Sequence, residues 1–316
     1  MKLPNLQIGD LKAQIPIIQG GMAIRISMAP LAAAVAEEGG IGLIAASGLD
    51  VEELRQEIRA ARALTKGIIG INIMFAASNF SDIVQAAIEE KIDLIVSGAG
   101  FSRDMFTLGQ KADVPIIPIV STPKLAKIAE KLGAAAVIVE GKEAGGHLGT
   151  EQSLLELIPL VKKEVNIPVI AAGGIVDGKD LAQAFLSGAD GAQLGLRFAA
   201  SHESSAAPSL KDYYVKAGQE DLILIDSPVG YPARALRNDF TERLAKEKRI
   251  PPLTCRQCLK KCSHNFCIIE ALSKAQQGDL VNGLVFTGEG IDKITAILSV
   301  KEIIHTLLSA TYEFFS

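Results

Sequence analysis

The chain has 316 residues, is 48% hydrophobic, and sets 32 basic against 36 acidic residues for a net charge of −4. Charge so balanced and so interspersed offers no basic face, which excludes nucleic acid and anionic membranes as partners. The first ten residues lack an apolar signal core, and no apolar run approaches the ~20 residues of a bilayer span, so the expected location is cytoplasmic.

In chain order, eight short runs rich in Ile and Val read as strands: Ile15–Gly20, Ile41–Ala46, Ile68–Met74, Asp93–Ala99, Pro115–Val120, Ala135–Gly141, Pro168–Gly174 and Gly191–Phe198. Between them, amphipathic stretches such as Val51–Leu64, Phe80–Lys91, Pro123–Leu132, Leu154–Val165 and Lys179–Leu186 read as helices. Continuous apolar strands separated by single helices imply a parallel sheet covered on both faces. Eight such units favour closure into a TIM (β/α)8 barrel, because no G-x-G-x-x-G opens the first helix as a dinucleotide-binding open sheet would require. Residues 1–220 are expected to form this barrel. Residues 221–316, where the rhythm changes, are expected to form a helical extension over one end of it. Within them, Ser227-Pro228-Val229-Gly230-Tyr231-Pro232 reads as a loop, and the basic cluster from Arg234 to Lys248 as a solvated face.

Barrel enzymes place their sites at the C-terminal ends of the strands, and three of those ends are dense in glycine. Strand six runs into Glu140-Gly141-Lys142-Glu143-Ala144-Gly145-Gly146-His147, strand seven ends in Gly173-Gly174, and strand eight carries Gln193-Leu194-Gly195-Leu196. Peptide N–H groups approach a phosphate closely where no Cβ intervenes, so these ends point to a phosphate-bearing cofactor. The plainer alternative is that each glycine only makes a tight turn. His147, directly after two glycines at that mouth, is the candidate proton-transfer group, as a base toward a carbon acid or as a donor to a developing anion. His202, His264 and His305 lack such a setting and are expected to be structural.

These motifs resemble those of the nitronate monooxygenase (2-nitropropane dioxygenase-like) family, which includes FMN-dependent enoyl-ACP reductases. The resemblance runs over nearly the whole chain. It is carried by Gln19-Gly20-Gly21-Met22, Gly70-Ile71-Asn72, Glu143-Ala144-Gly145-Gly146-His147, Ala171-Ala172-Gly173-Gly174-Ile175 with Asp177-Gly178, and Gly195-Leu196-Arg197-Phe198. It implies non-covalent FMN on the barrel, with Gly21 and Met22 lining the ring, Asn72 and Glu140 hydrogen-bonding near it, and Gly145, Gly146 and Gln193 also binding the cofactor. Gly173, Gly174, Gly195 and Leu196 would supply backbone donors to the phosphate, and His147 matches the family's catalytic histidine. Leu196 stands where the family usually has threonine, so a hydroxyl contact to the phosphate is not expected there. The implied activity is oxidation of alkyl nitronates or nitroalkanes with O2. The alternatives are NAD(P)H-dependent enoyl-ACP reduction and, in another class, a non-catalytic flavin-binding regulatory protein. A small-molecule substrate, NAD(P)H or a carrier protein as electron donor, and a monomer or homodimer complete the expectation.

All four cysteines fall in one segment, Cys255-x2-Cys258-x3-Cys262-x4-Cys267. Four thiolates at compact spacing suit zinc or an iron–sulfur cluster, and a metal site is the expectation. The alternative is a helix–loop with reduced thiols, two of them in the core.

Overall fold

The computed structural model describes residues 3–252 and 254–316; the first two residues of the N-terminal stretch read above lie outside them. The strands are β1 (Gln7–Ile8), β2 (Leu11–Lys12), β3 (Ile17–Gln19), β4 (Ile41–Ala45), β5 (Ile68–Met74), β6 (Leu94–Gly98), β7 (Ile116–Val120), β8 (Val137–Glu140), β9 (Gly146–His147), β10 (Val169–Ala172), β11 (Gly191–Leu194), β12 (Leu222–Asp226) and β13 (Pro232–Leu236). The helices are α1 (Ala29–Glu37), α2 (Val51–Leu64), α3 (Phe80–Glu89), α4 (Arg103–Ala112), α5 (Pro123–Leu132), α6 (Leu154–Lys162), α7 (Gly178–Leu186), α8 (Leu196–Ala199), α9 (Pro208–Lys216), α10 (Asp239–Glu247), α11 (Ile268–Gln276) and α12 (Val300–Phe315).

Strands β3, β4, β5, β6, β7, β8, β10 and β11 pair in parallel in that order and close on themselves, so all eight expected strands form the barrel wall. Side chains alternate across the wall. On β8, Ile138 joins the interior cluster with Ile18, Leu43, Leu94, Val96, Ile117 and Ile170, while Val137 and Val139 face the helical ring. Each side therefore demands an apolar residue, which is why the strands read as unbroken Ile/Val runs. Burying each such side chain contributes about 1.5–3 kcal/mol. The β1–β2 hairpin, which has no strong sequence signal, stoppers the interior with Leu6 and Ile8.

The eighth expected strand overruns. Gly191–Leu194 is strand, and Leu196–Ala199 already turns as helix α8. Beyond it the chain builds the extension and then returns to the barrel. Helix α12 buries Val300, Ile303, Ile304 and Leu307 against Leu31 and Val35 of α1 and Leu181 and Phe185 of α7. Gly178 makes that approach: a Cβ there would overlap the α12 backbone at Leu307 and Thr311. Between α8 and α12 lies the second sheet, in which the antiparallel β12–β13 hairpin adds β9 along its far edge.

Candidate active site

At the C-terminal end of the barrel lies a cavity of about 760 Å3. Gly21, Met22, Asn72, Glu140, Gly145, Gly146, His147, Gly173, Gly174, Gln193, Gly195 and Leu196 all line it, so every residue expected to hold or serve a cofactor faces one space. A volume of this order suits a drug-sized ligand, for which pockets run to roughly 300–1,000 Å3.

The barrel side offers mostly backbone. Gly173 and Gly174 follow β10 with φ of +105° and +72°, conformations an L side chain rarely adopts. Among the described residues, the N–H groups of Gly174 and Gly195 meet no acceptor in the chain. Gln193 is 8% exposed, and its Oε1 has no hydrogen-bond partner among the described residues. A buried unpaired oxygen and unengaged peptide N–H groups at one cavity suit a ligand with both an N–H edge and a phosphate. FMN has both. Leu196, in the position where a hydroxyl was not expected, packs its side chain against the apolar cluster of Leu210 and Tyr214 instead.

Two of the glycines answer to the protein's own packing. A Cβ on Gly21 would overlap the Cβ of Asn72, and one on Gly145 would sit 2.6 Å from the Thr287 carbonyl carbon. The Asn72 amide donates to the Gly21 carbonyl oxygen at 3.1 Å, so one of its donors is already spent inside the chain. Glu140 ends β8 with no cation paired to it among the described residues, and burial pushes its carboxyl up to about 7.

The opposite side of the cavity offers side chains, and the extension holds them. His147 lies on β9, paired with Ala233 of β13, and the Leu148 N–H donates to the Pro232 carbonyl at 2.9 Å. Its Nε2 lies 2.7 Å from Ser227 Oγ, in the turn of the β12–β13 hairpin. The ring makes a T-shaped contact with Phe286, with centroids 5.4 Å apart. Burial holds the imidazole down to about 4, so it is neutral at pH 7. Arg234, 8% exposed, donates to the Ala144 carbonyl at 2.6 Å and to the Lys142 carbonyl, and pairs with Glu289 at 2.7 Å. It thereby clamps the glycine-rich loop that leads into His147.

Neither Ser227 nor Arg234 stood out in the sequence. Ser227 lay in an apparent loop and Arg234 in an apparent solvated face, yet the structure buries both. The pattern Pro232-Ala233-Arg234-Ala235-Leu236 was the available signal for Arg234: a lone cation inside an apolar strand needs a buried partner.

The structure gives the expected metal centre at the cysteines no support. Among the described residues, no three His, Cys, Asp or Glu side chains gather in a metal-holding group. Cys255 is exposed, whereas Cys258 and Cys267 pack partly buried beside Phe240, Phe266 and Ile269. Burial, and with it the neighbouring thiols of Cys267, Cys262 and Cys255, pushes the Cys258 thiol up. The segment instead braces the site. The Cys258 carbonyl accepts from Ser78 N–H at 3.1 Å, and Lys260 Nζ donates to the Phe75 carbonyl at 2.7 Å beyond strand β5. On its other side, Asn265 Nδ2 donates to the Asp226 carbonyl at 2.7 Å and Ser263 N–H to Pro228 at 3.1 Å, on the hairpin that carries Ser227.

A family model described as nitronate monooxygenase matches residues 5–310. Among solved structures, FabK from Thermotoga maritima is 36% identical, with a TM-score of 0.87 over 96% of this chain and 94% of its own. The nitroalkane oxidase of Streptomyces ansochromogenes is 26% identical, with a TM-score of 0.83 over 95% and 96%. Among curated proteins, a (3aS,4S,5R,7aS)-5-hydroxy-7a-methyl-1-oxo-octahydro-1H-indene-4-carboxyl-CoA dehydrogenase of Rhodococcus jostii is 34% identical over 73% of this chain. The match spans 65% of that relative's length, just under two thirds.

Proposed function

The chain belongs to the nitronate monooxygenase family, and we propose from that premise that it is an FMN-dependent oxidoreductase that oxidises alkyl nitronates with O2. One observation carries the reading: the glycine cradle on the barrel side and His147 on the extension side face the same cavity. When bound, FMN supplies the two-electron chemistry, accepting electrons from the substrate and returning them to oxygen. The N–H groups of Gly174 and Gly195 would hold its phosphate, and Gln193 Oε1 would accept from its ring edge. Asn72, with one amide donor tied to Gly21, fixes the floor beneath the ring. His147, kept neutral by burial, hydrogen-bonds the substrate at the reacting end. The β9–β13 pairing and the Arg234 clamp keep it there.

A second reading, reduction of an enoyl thioester with NAD(P)H or a carrier protein as electron donor, is favoured by the cavity's outer wall. Leu125, Ile128, Ile268, Ile269 and Leu272 line it and would cover a chain longer than a small nitroalkane. The likeness to FabK points the same way.

Anaerobic reduction separates the two. Offered to the FMN-loaded protein one at a time, an alkyl nitronate is expected to bleach the flavin spectrum without a pyridine nucleotide. Bleaching by NADH or NADPH alone would move the assignment to the second reading. Failure to retain FMN on reconstitution would sink both.

A further inference from the structure

Ser227 is more than a neighbour of the proposed site, because the hydrogens around it can be counted. The hairpin turn is closed by Gly230 N–H donating to the Ser227 carbonyl at 3.0 Å and Ser227 N–H donating to the Tyr231 carbonyl at 3.2 Å. The Ser227 side chain is thereby presented to His147 from a residue only 4% exposed. Its Oγ accepts the Val229 N–H at 3.4 Å and meets His147 Nε2 at 2.7 Å. No other acceptor for the hydroxyl hydrogen exists among the described residues, so if Nε2 carried the ring proton, the Ser227 O–H would point at nothing in a buried place. A buried donor left unpaired is disfavoured, and the arrangement that satisfies every hydrogen is Ser227 O–H donating to Nε2.

The other ring nitrogen completes the count. Among the described residues Nδ1 has no partner, and it is not among the buried unpartnered atoms, so it is the nitrogen open to the cavity that His147 lines. A neutral imidazole with Nε2 accepting carries its proton on Nδ1.

We propose that Ser227 is a positioning residue that locks His147 in the Nδ1–H tautomer, so that the cavity presents a hydrogen-bond donor to an anionic oxygen and takes its substrate as the preformed anion. The tautomer is independent of which reaction the site runs. Only the identity of the anion, a nitronate, rests on the function proposed above. A histidine held this way is a poor base toward a neutral nitroalkane, because its free nitrogen already carries a proton. Its low basicity agrees with that. The T-shaped contact with Phe286 holds the ring plane from another side, so Ser227 decides the proton position and Phe286 the orientation.

The test uses the full chain, FMN-loaded and 15N-histidine labelled, with long-range 1H–15N spectra. There are four histidines in all, and His147→Gln identifies the resonance by its loss. His147 is expected as the Nδ1–H form in the wild type. In Ser227→Ala it should shift to a mixture or to Nε2–H, and Ser227→Thr should restore it. With propyl-1-nitronate as probe, Ser227→Ala should raise KM about tenfold, the loss of one hydrogen bond to a charged group. FMN affinity should stay within about threefold, since Ser227 does not belong to the glycine cradle. An Nε2–H tautomer in the wild type overturns the proposal, whether or not any variant folds. So does an unchanged tautomer in Ser227→Ala. A protein that shows the Nδ1–H form but does not oxidise the nitronate keeps the positioning role and loses the function proposed above, so the two failures are distinct.

Discussion

Around the cavity, the barrel mouth and the hairpin sheet of the extension contribute by opposite means. The mouth supplies peptide N–H groups and an unpaired amide oxygen on strand ends fixed by the closed wall. The hairpin sheet supplies side chains, His147 on a short strand and Ser227 in the hairpin turn, held by hydrogen bonds and the Arg234 clamp. Backbone groups on a closed barrel cannot be tuned by substitution without disturbing the wall, whereas a side chain on a bracing hairpin can. The contrast teaches that cofactor retention and turnover should be separable by mutation along this line.

The sharpest break in that division is His147→Ala. Turnover of nitronate should fall by about 10^2–10^3-fold, the usual worth of a positioned hydrogen-bond donor to an anionic oxygen. The flavin spectrum and FMN stoichiometry should stay unchanged. Loss of FMN together with activity would show that the extension binds cofactor as well. The converse variant is Gly174→Val. It must adopt φ near +72°, and its Cβ would lie 2.8 Å from that of Glu143. FMN affinity is expected to drop by about 10–100-fold, from strain of about 1–3 kcal/mol at such a backbone position. Equilibrium dialysis or flavin fluorescence would measure it, and an affinity within twofold of wild type would remove Gly174 from the cradle.

Arg234→Met tests the hairpin side for stability. It strips the Lys142 and Ala144 carbonyls of a donor and leaves Glu289, which is 37% exposed at the side chain, without its partner. That exposure lets water compensate one end, so the expected loss is about 2 kcal/mol rather than the full cost of breaking a buried pair. Thermal unfolding should come down by a few degrees, with FMN affinity less affected than turnover. A drop in FMN affinity larger than the drop in turnover would place the clamp on the wrong side of the division.

How much of this was legible in the sequence follows the same line. The barrel was, because each of its strands is pressed between an apolar interior and an apolar helical ring, and that double demand leaves unbroken Ile/Val runs with few readings. The cradle was, because glycine at successive strand ends marks backbone approach. The hairpin sheet was not. Leu222–Asp226 and Pro232–Leu236 are short, one of them half exposed, and the pairing of the second with Gly146–His147 joins residues almost ninety positions apart. No local pattern encodes such a contact, so Ser227 read as loop and Arg234 as surface. The cysteines differ for the opposite reason. Their spacing is a strong local pattern, but among the described residues they form no metal-holding group, and the segment braces the loop after β5 against the hairpin.

The two regions also titrate in opposite directions, which gives the smallest and most specific prediction. Glu140, on the barrel wall, has its carboxyl raised to about 7 by burial, above the usual 4.5. The folded state therefore binds the extra proton between those values, and the stability this group contributes at low pH is lost as pH rises from about 4.5 through 7. His147, on the hairpin sheet, is lowered to about 4 from 6.5, so its contribution is present above 6.5 and lost as pH falls through 4. Between about pH 4.5 and 6.5 the slopes oppose and largely cancel. Both groups face a cavity that admits water when empty, which discounts each to about 1 kcal/mol, or about 1–3 °C in Tm for a chain of this size. Thermal melts of cofactor-free protein across that window should therefore show Glu140→Gln gaining stability with rising pH relative to wild type, and His147→Gln losing it. The two difference curves should cross with opposite signs. If both variants leave the wild-type profile unshifted, the carboxyl and the imidazole are solvated in the empty cavity, and the contrast between the two regions reduces to backbone against side chain alone.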